Sequence, residues 1–171
     1  MLNWLINETG GPGASYKKIY GRVSPGAPYR IPHFKREEYE IALQWLQKHA
    51  PDGTIHFDWR LPARYIPLSV QGNPELEEVW RHLKQERIDA VVFTENEIIL
   101  VEIKDVVRKS AIGQLIHYKK RFEEEYKPDK PIRLQIVAGE DDPVVRKTAE
   151  EQGIDVLVLN IPSRRKRILG F

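Results

Sequence analysis

The sequence predicts an α/β domain in which helices flank a mixed β-sheet. Short apolar runs with the composition of strands alternate with amphipathic helical patterns, an order that is typical of α/β folds. The length of 171 residues suits a single domain with a substantial core. Hydrophobic residues make up 41% of the chain and charged residues 30%, which indicates a soluble globular protein rather than a membrane-spanning one.

The sequence pattern in the first half of the core predicts a helix that is followed by an extended segment. Apolar residues at helical spacing predict the helix over about residues 35–49. Residues 54–70 look extended, but two prolines in this segment disfavour a central strand, so we expect an edge strand or a bent hairpin. His56 and Asp58 alternate with aromatic residues there, and we expect both to face solvent.

A second helix leads into a hairpin of two apolar strands. Asn73 as N-cap and Pro74 at the first helical position mark the start of this helix, and apolar residues follow at helical spacing. The runs 88–93 and 98–104 then predict two strands that are joined by a short polar turn. Acids are rare on strands this apolar, because a buried charge must be paired or bound to a metal.

The C-terminal half predicts a helix over 110–126, a strand over 132–138, a helix from Asp142 and a strand over 154–159. We expect Ser110 to cap the first of these helices. Gly113 in its first turn lowers helix propensity, which indicates close approach of another backbone. The last strand is almost continuously apolar, which predicts a parallel strand that is buried on both faces.

The hairpin carries three charged side chains, and the register of its two strands decides whether these side chains lie together. If a loop of two or four residues is centred between Glu95 and Asn96, Asp89 faces Glu102 across the strands. Lys104 lies two residues after Glu102 and shares its side of the sheet. Facing carboxylates destabilise a sheet, so we expect a divalent cation to offset the repulsion. A loop of odd length would separate the two acids, and the alternative to a metal site is a structural ion pair.

The basic residues concentrate at both ends of the chain. Residues 1–35 hold five Lys or Arg against one acid, and residues 163–171 hold four basic residues and no acid. Tyrosines alternate with the cations of the Gly- and Pro-rich first segment, which we expect to be irregular. Aromatics beside cations are typical of nucleic-acid binding, although solvated cations and tyrosines that pin the segment to the body are alternatives. The candidate nucleic-acid-binding residues at the two ends are Lys17, Lys18, Arg22, Arg164, Arg165 and Arg167.

An acid on the first hairpin strand, an acid and a lysine on the second, and a glutamine on the next helix form one pattern. The residues are Ile88-Asp89, Val101-Glu102-Ile103-Lys104 and Gly113-Gln114-Leu115 with Tyr118. This pattern, over about residues 75–138, resembles the PD-(D/E)xK nuclease superfamily, although Ile88 stands in place of the proline. The resemblance implies a restriction-endonuclease-like mixed β-sheet flanked by helices, and metal-dependent hydrolysis of phosphodiester bonds in DNA.

The resemblance also implies roles at the hairpin. Asp89 and Glu102 would bind Mg²⁺ or Mn²⁺, with the carbonyl of Ile103 as a further ligand, and such hard oxygen ligands suit these ions. The metal would polarise the phosphoryl oxygen and lower the pKa of a bound water. Lys104 would hold or help deprotonate that water and would stabilise the charged transition state.

Four helical residues complete the implied site. Gln114 would position Lys104 or the scissile phosphate, and Tyr118 would contact the nucleic-acid backbone. Arg121 shares the polar face of that helix and is a further candidate contact. Glu38, on the first helix, is the candidate for an upstream acid, which would serve a second metal ion.

The expected organisation is a basic N-terminal arm (1–33), a nuclease-like core (34–162) and a basic C-terminal tail (163–171). We expect a cytoplasmic protein, because the chain has no cysteine, no signal peptide and no long apolar run. A homodimer would suit cleavage of both strands of DNA. The alternatives are an inactive nuclease-fold module that binds nucleic acid and a protein-interaction domain. The pattern does not distinguish DNA from RNA or linear from branched substrates.

Overall fold

The computed structural model describes residues 14–19, 22–23 and 34–162, which form one α/β domain around a seven-stranded mixed sheet. The predicted α/β class, with a mixed sheet flanked by helices, is therefore confirmed. Over these residues, no helix is both long enough and apolar enough to span a membrane. The strands are β1 (Ala14–Ile19), β2 (Arg22–Val23), β3 (Gly53–Leu61), β4 (Glu86–Phe93), β5 (Ile98–Val106), β6 (Ile132–Glu140) and β7 (Ile154–Val158). The helices are α1 (Arg36–Lys48), α2 (Pro74–Leu83), α3 (Lys109–Tyr126) and α4 (Pro143–Glu151).

The pairing of the sheet changes from antiparallel to parallel at β5. The strand order is β2-β1-β3-β4-β5-β6-β7. Neighbours from β2 to β5 are antiparallel, and β5, β6 and β7 are parallel. Parallel neighbours need a crossover connection, which α3 and α4 supply. These two helices pack on one face of the sheet, and α1 packs on the other.

The β4–β5 hairpin has the even register that the sequence predicts. Phe93 pairs with Ile98, and the same register places Asp89 opposite Glu102. The loop has four residues, 94–97. The hydroxyl of Thr94 donates to one loop carbonyl and accepts from two loop amides, so the turn is held by its own side chain. The condition on which the predicted carboxylate cluster depends is therefore met.

β3 is an internal strand rather than the predicted edge strand or bent hairpin. It pairs with β1 on one side and with β4 on the other, and both prolines follow its last residue, Leu61. His56 and Asp58 are therefore only 6% and 5% exposed, so the expectation that they face solvent is wrong. Residues 14–19, predicted to be irregular, form a strand that pairs with the outer edge of β3. The ring of His56 packs edge-on against Trp59 and Phe93, and the carboxylate of Asp58 lies beside Arg60 and Arg87.

β3 and β4 change sides of the sheet at Asp58 and Asp89. Residues two apart on a strand normally share a face. Here Phe57 packs in the core under α1, whereas Trp59 packs in the core under α3. Their partners on β4 are divided in the same way, with Ala90 under α1 and Ile88 under α3. Asp58 makes the change with a φ of 54°, a left-handed conformation that Asp tolerates better than most residues. The regular alternation of the sheet thus breaks beside Asp89.

Three predictions for the C-terminal half are wrong in detail. Arg108 rather than Ser110 is the N-cap of α3, and its side chain makes no capping hydrogen bond. A Cβ added at Gly113 would meet no atom within 4 Å, so close backbone approach does not explain this glycine. β7 is parallel to β6 as predicted, but it is an edge strand in which Ile154 alone is fully buried.

Candidate metal centre

Asp89, Glu102 and Lys104 form one cluster at the point where the regular pairing of β4 and β5 ends. The Nζ atom of Lys104 lies 2.5 Å from Glu102 Oε1 and 3.9 Å from Asp89 Oδ2. Asp89 Oδ2 also accepts a hydrogen bond of 2.7 Å from the amide of Ile103, so its side chain bonds to a backbone group of the neighbouring strand. The three side chains therefore lie together, as the hairpin register predicts, and their role as a metal site stays a prediction.

The carbonyl of Ile103 is directed toward the same place. In a β-strand, the N–H and C=O groups of one residue point to the same neighbouring strand. Since the amide of Ile103 meets Asp89, the carbonyl of Ile103 also faces β4 rather than β6. Two carboxylates meet at the cluster, the carbonyl of Ile103 faces the same neighbouring strand as the amide that bonds to Asp89, and all three groups are hard oxygen donors.

Glu102 is the deepest member of the cluster. The residue is 1% exposed, whereas the side chains of Asp89 and Lys104 are 22% and 17% exposed. One oxygen of Glu102 bonds to Lys104, but the other, Oε2, is buried and has no hydrogen-bond partner among the described residues. An unpartnered buried carboxylate oxygen is costly, so this atom would suit a bound cation as its partner.

Burial and mutual repulsion alter the pKa values of the cluster. Burial, followed by the charge of Glu102, raises the pKa of Asp89 to about 8. Burial also raises the pKa of Glu102, although Lys104 opposes this shift. Burial alone would lower the pKa of Lys104, but the charges of Glu102 and Asp89 outweigh it and raise that pKa. At neutral pH the cluster therefore holds a proton that a bound cation would displace.

Glu38 reaches the neighbourhood of the cluster from α1, on the opposite face of the sheet from α3. Its carboxylate accepts a hydrogen bond of 3.1 Å from the amide of Lys35 at the start of α1. After burial and the charge of Glu102, the charge of Glu38 contributes to the raised pKa of Asp89. Glu38 thus serves as a helix cap and adds negative charge to the site.

Gln114 and Tyr118 form a pair on α3 near the same cluster. The amide of Gln114 donates to the hydroxyl of Tyr118 at 3.3 Å, and among the described residues it does not bond to Lys104. Burial, followed by the charge of Glu102, raises the pKa of Tyr118 to about 12. Tyr118 is therefore a protonated hydroxyl beside the carboxylates, and positioning of Lys104 by Gln114 is not seen.

Arg121 does not suit the predicted contact with nucleic acid. The residue is 9% exposed, and its guanidinium donates to Glu86 at 2.6 Å and to the carbonyl of Pro62 at 2.5 Å. These bonds tie α3 to the start of β4 and to the segment after β3. The guanidinium is therefore held inside the protein, and its contact with nucleic acid stays a prediction that this geometry does not favour.

The basic residues at the chain ends lie outside the described side chains. Lys17 and Lys18 are on β1 and Arg22 is on β2, but only the backbone is described there. Arg164, Arg165 and Arg167 fall in residues 163–171, which lie outside the described residues. Their binding of nucleic acid stays a prediction.

Asp58 is a neighbour of the site whose role the sequence pattern missed. The register of β3 and β4 places it opposite Asp89, and its carboxylate lies 3.6 Å from both Arg60 and Arg87. The available signal was an aspartate in the middle of an aromatic strand, where this residue type is depleted. Its conformation and its ion pairs fix the break in the sheet from which Asp89 extends.

The donor set fits a divalent cation in part. Asp89, Glu102 and the Ile103 carbonyl supply oxygen ligands, and Glu102 Oε2 lacks a partner. Against this, residues 34–162 contain no group of three or more His, Asp or Glu side chains arranged to hold a metal ion. Waters and a substrate phosphate would have to complete the coordination, as is usual for Mg²⁺. Comparison with known proteins finds no match, since no family model, no curated protein and no solved structure is significantly similar to the chain.

Proposed function

We propose that the protein is a metal-dependent nuclease of the PD-(D/E)xK type, with a restriction-endonuclease-like core, which hydrolyses phosphodiester bonds of DNA. The observation that carries the proposal is the buried, unpartnered Oε2 atom of Glu102 beside Asp89 and Lys104. The resemblance of the sequence motifs to that superfamily supports it independently, because the motifs are defined by residue type and order.

Asp89, Glu102 and the carbonyl of Ile103 would hold the ion, with Mg²⁺ or Mn²⁺ preferred because every donor is oxygen. When bound, the ion polarises a phosphoryl oxygen and lowers the pKa of a coordinated water. Binding requires that Asp89 lose the proton that its raised pKa retains near neutral pH. The protein's own contribution is to keep two carboxylates close together in spite of their repulsion.

Lys104 and the α3 pair would act on the substrate. The raised pKa of Lys104 keeps it protonated, so it stabilises negative charge and donates to the attacking water rather than serving as a strong base. The hydroxyl of Tyr118, whose pKa is about 12, is likewise available as a donor to a phosphate oxygen. Gln114 would orient that hydroxyl, and the basic chain ends would hold the nucleic-acid backbone.

A cleavage assay tests the proposal. The protein is incubated with supercoiled, linear, single-stranded and branched DNA in the presence of Mg²⁺, Mn²⁺ or EDTA. We expect cleavage that requires metal and falls by about 10²–10³-fold or more in Lys104→Ala and Glu102→Gln. Glu123→Gln, an exposed acid on α3, is the matched control and should cleave like the wild type. Cleavage that is unchanged by EDTA or by Lys104→Ala would overturn the mechanism.

A second candidate function is an inactive nuclease-fold module that binds nucleic acid. Two observations favour it: the ammonium of Lys104 already neutralises the carboxylates, and the core from 34 to 162 has no group of three metal-ligating side chains. This candidate predicts DNA binding whose affinity falls steeply with salt, without cleavage of any substrate. Absence of DNA and RNA binding even at low salt would remove both candidates and favour a protein-interaction domain.

A further inference from the structure

The apolar side of α2 faces solvent instead of the core. Leu76, Val79 and Leu83 follow one stripe of the helix and are 48%, 54% and 70% exposed, and none of the ten residues of α2 is buried. A helical stripe of this kind normally packs against the sheet. We name these three residues the α2 face. An exposed apolar face of this kind marks an interaction surface.

The remaining contacts of α2 hold it in this orientation. The indole N–H of Trp80 donates to the carbonyl of Tyr65 at 3.0 Å, and the carboxylate of Glu77 accepts from the amide of Gly72 at 2.9 Å. Asn73 caps the helix by accepting from the amide of Leu76 at 3.2 Å. The segment before α2 therefore fixes the side of the helix that carries Trp80, and the α2 face is left free to bind another surface.

The acidic and basic residues of α2 are separated along the helix. The acids Glu75, Glu77 and Glu78 lie in the first half, and the basic residues Arg81 and His82 lie in the last turn. Glu75 and His82 are seven residues apart, so both flank the same side of the α2 face. Together with Glu78, Val79 and Leu83 they line a shallow groove of about 420 Å³.

Three of these charged or titratable side chains form no ion pair within the part of the chain that the structure describes. Arg81 pairs with Glu77 at 2.9 Å within the helix. Glu75, Glu78 and His82 make no ion pair with any other part of the chain that the structure describes. The face thus combines an apolar centre with an acidic end and a basic end on its rim.

We propose that the α2 face binds a second copy of this chain, with the two α2 helices packed antiparallel about a two-fold axis near Val79. In this arrangement Glu75 of each protomer lies opposite His82 of its partner, and the acidic half of each helix meets the basic half of the other. A parallel arrangement would oppose like charges. The apolar centre supplies the buried surface that a homodimer contact requires.

The chain's own ends fit the α2 face less well. Residues 1–13 are apolar in part, but Glu8 is their single charged side chain, so they offer nothing to the acidic half of α2. Residues 163–171 carry four basic residues and no acid, so they complement its acidic half alone. A second copy complements both halves at once. The proposal stands on the α2 face alone and does not depend on nuclease activity.

Sedimentation velocity of the full-length protein over a range of concentrations tests the contact. We expect a reversible monomer–dimer equilibrium whose dissociation constant rises at least tenfold in Val79→Asp. Val144→Asp, at a 77% exposed valine of α4, is the matched control and should dimerise like the wild type. Thermal unfolding checks that each variant is folded, which we expect because Val79 is half exposed. A wild type that is monomeric throughout, or a dimer that Val79→Asp leaves intact, would overturn the proposal.

Charge reversal tests the antiparallel arrangement. At about pH 5.5, where exposed histidines are mostly protonated, Glu75→Lys and His82→Glu should each weaken the homodimer, because each then opposes like charges across the two-fold axis. An equimolar mixture of the two single variants should restore a dimer, since both of its rim contacts are then attractive. Failure of the mixture to dimerise would contradict this arrangement. A monomeric wild type whose α2 amides lose hydrogen-exchange protection when residues 1–13 are deleted would assign the face to that segment instead.

Discussion

Replacement of Lys104 by methionine should destabilise the protein in a way that depends on pH. The ammonium of Lys104 lies 2.5 Å from Glu102 and 3.9 Å from Asp89, and methionine retains most of the side-chain volume without the charge. At pH 8 the variant keeps buried carboxyl groups that have lost their neutralising partner and must either stay charged or take up protons, and both options cost stability. Removal of one partner from a buried ion pair costs about 3–5 kcal/mol, because the remaining charge stays desolvated.

The partial exposure of the cluster places the expected loss of stability at the lower limit of that range. The side chain of Lys104 is 17% exposed and that of Asp89 is 22% exposed, so water can screen part of the lost interaction. We expect a loss of about 3 kcal/mol in the free energy of unfolding at pH 8. At pH 4 the raised pKa values favour protonation of both carboxyls, so Lys104 has weaker charge partners in the cluster than at pH 8. The same substitution should then change stability by less than about 0.5 kcal/mol.

Urea unfolding at pH 8 and at pH 4, in EDTA, measures both values. Lys120→Met removes an exposed lysine from α3 and is the matched control, for which we expect changes within about 0.5 kcal/mol at either pH. Mg²⁺ at pH 8 should stabilise Lys104→Met more than it stabilises the wild type, because the ion supplies the missing positive charge. Equal destabilisation of Lys104→Met at the two pH values would refute the reasoning, since a mere packing loss does not depend on carboxyl protonation.

Three further predictions concern single residues near the site. Affinity for Mn²⁺, measured by calorimetry, should rise about tenfold per pH unit up to about pH 8, because the metal displaces the proton of Asp89; a flat profile would contradict its raised pKa. Asp58→Ala should lower the free energy of unfolding by about 1–2 kcal/mol more than Asp58→Asn, because alanine tolerates the left-handed φ of 54° less well; equal losses would count against that strain. Gly113→Ala should stabilise the protein by about 0.5–1 kcal/mol in thermal unfolding, since its Cβ meets open space in a helix, whereas Gly53→Ala should destabilise it, because its Cβ would lie 2.4 Å from the carbonyl of Phe93.

Local patterns explain the parts of the fold that the sequence predicted correctly. The even register of the hairpin agrees with a four-residue polar turn, so the position of Asp89 opposite Glu102 is predicted from the sequence on the condition that the loop is even. Helix α2 begins directly after its capping residue Asn73, and α4 begins directly after its capping residue Asp142, as the sequence predicts. These features depend on residues within a few positions of each other.

The features that the sequence did not predict depend on contacts between distant segments. β3 is an internal strand because β1 pairs with its outer edge, and nothing within residues 54–70 encodes that pairing. His56 is buried in part against Phe93, and Asp58 lies beside Arg87, both of which belong to β4. Arg121 looked like a surface cation, but it is held by Glu86, which is 35 residues earlier in the chain. The α2 face has ordinary helical spacing, and the pattern alone does not reveal that the stripe faces solvent rather than the sheet.

Diffraction from crystals soaked in Mn²⁺, recorded at a wavelength where manganese scatters anomalously, tests the central claim most directly. We predict an anomalous peak bound by Asp89, Glu102 and the carbonyl of Ile103, with Lys104 moved away from Glu102. The peak should vanish in Glu102→Gln, while the fold and the β4–β5 register are unchanged. Crystals without a peak at this cluster at saturating Mn²⁺, or with manganese only at other carboxylates, would contradict the claim that the cluster is a metal centre.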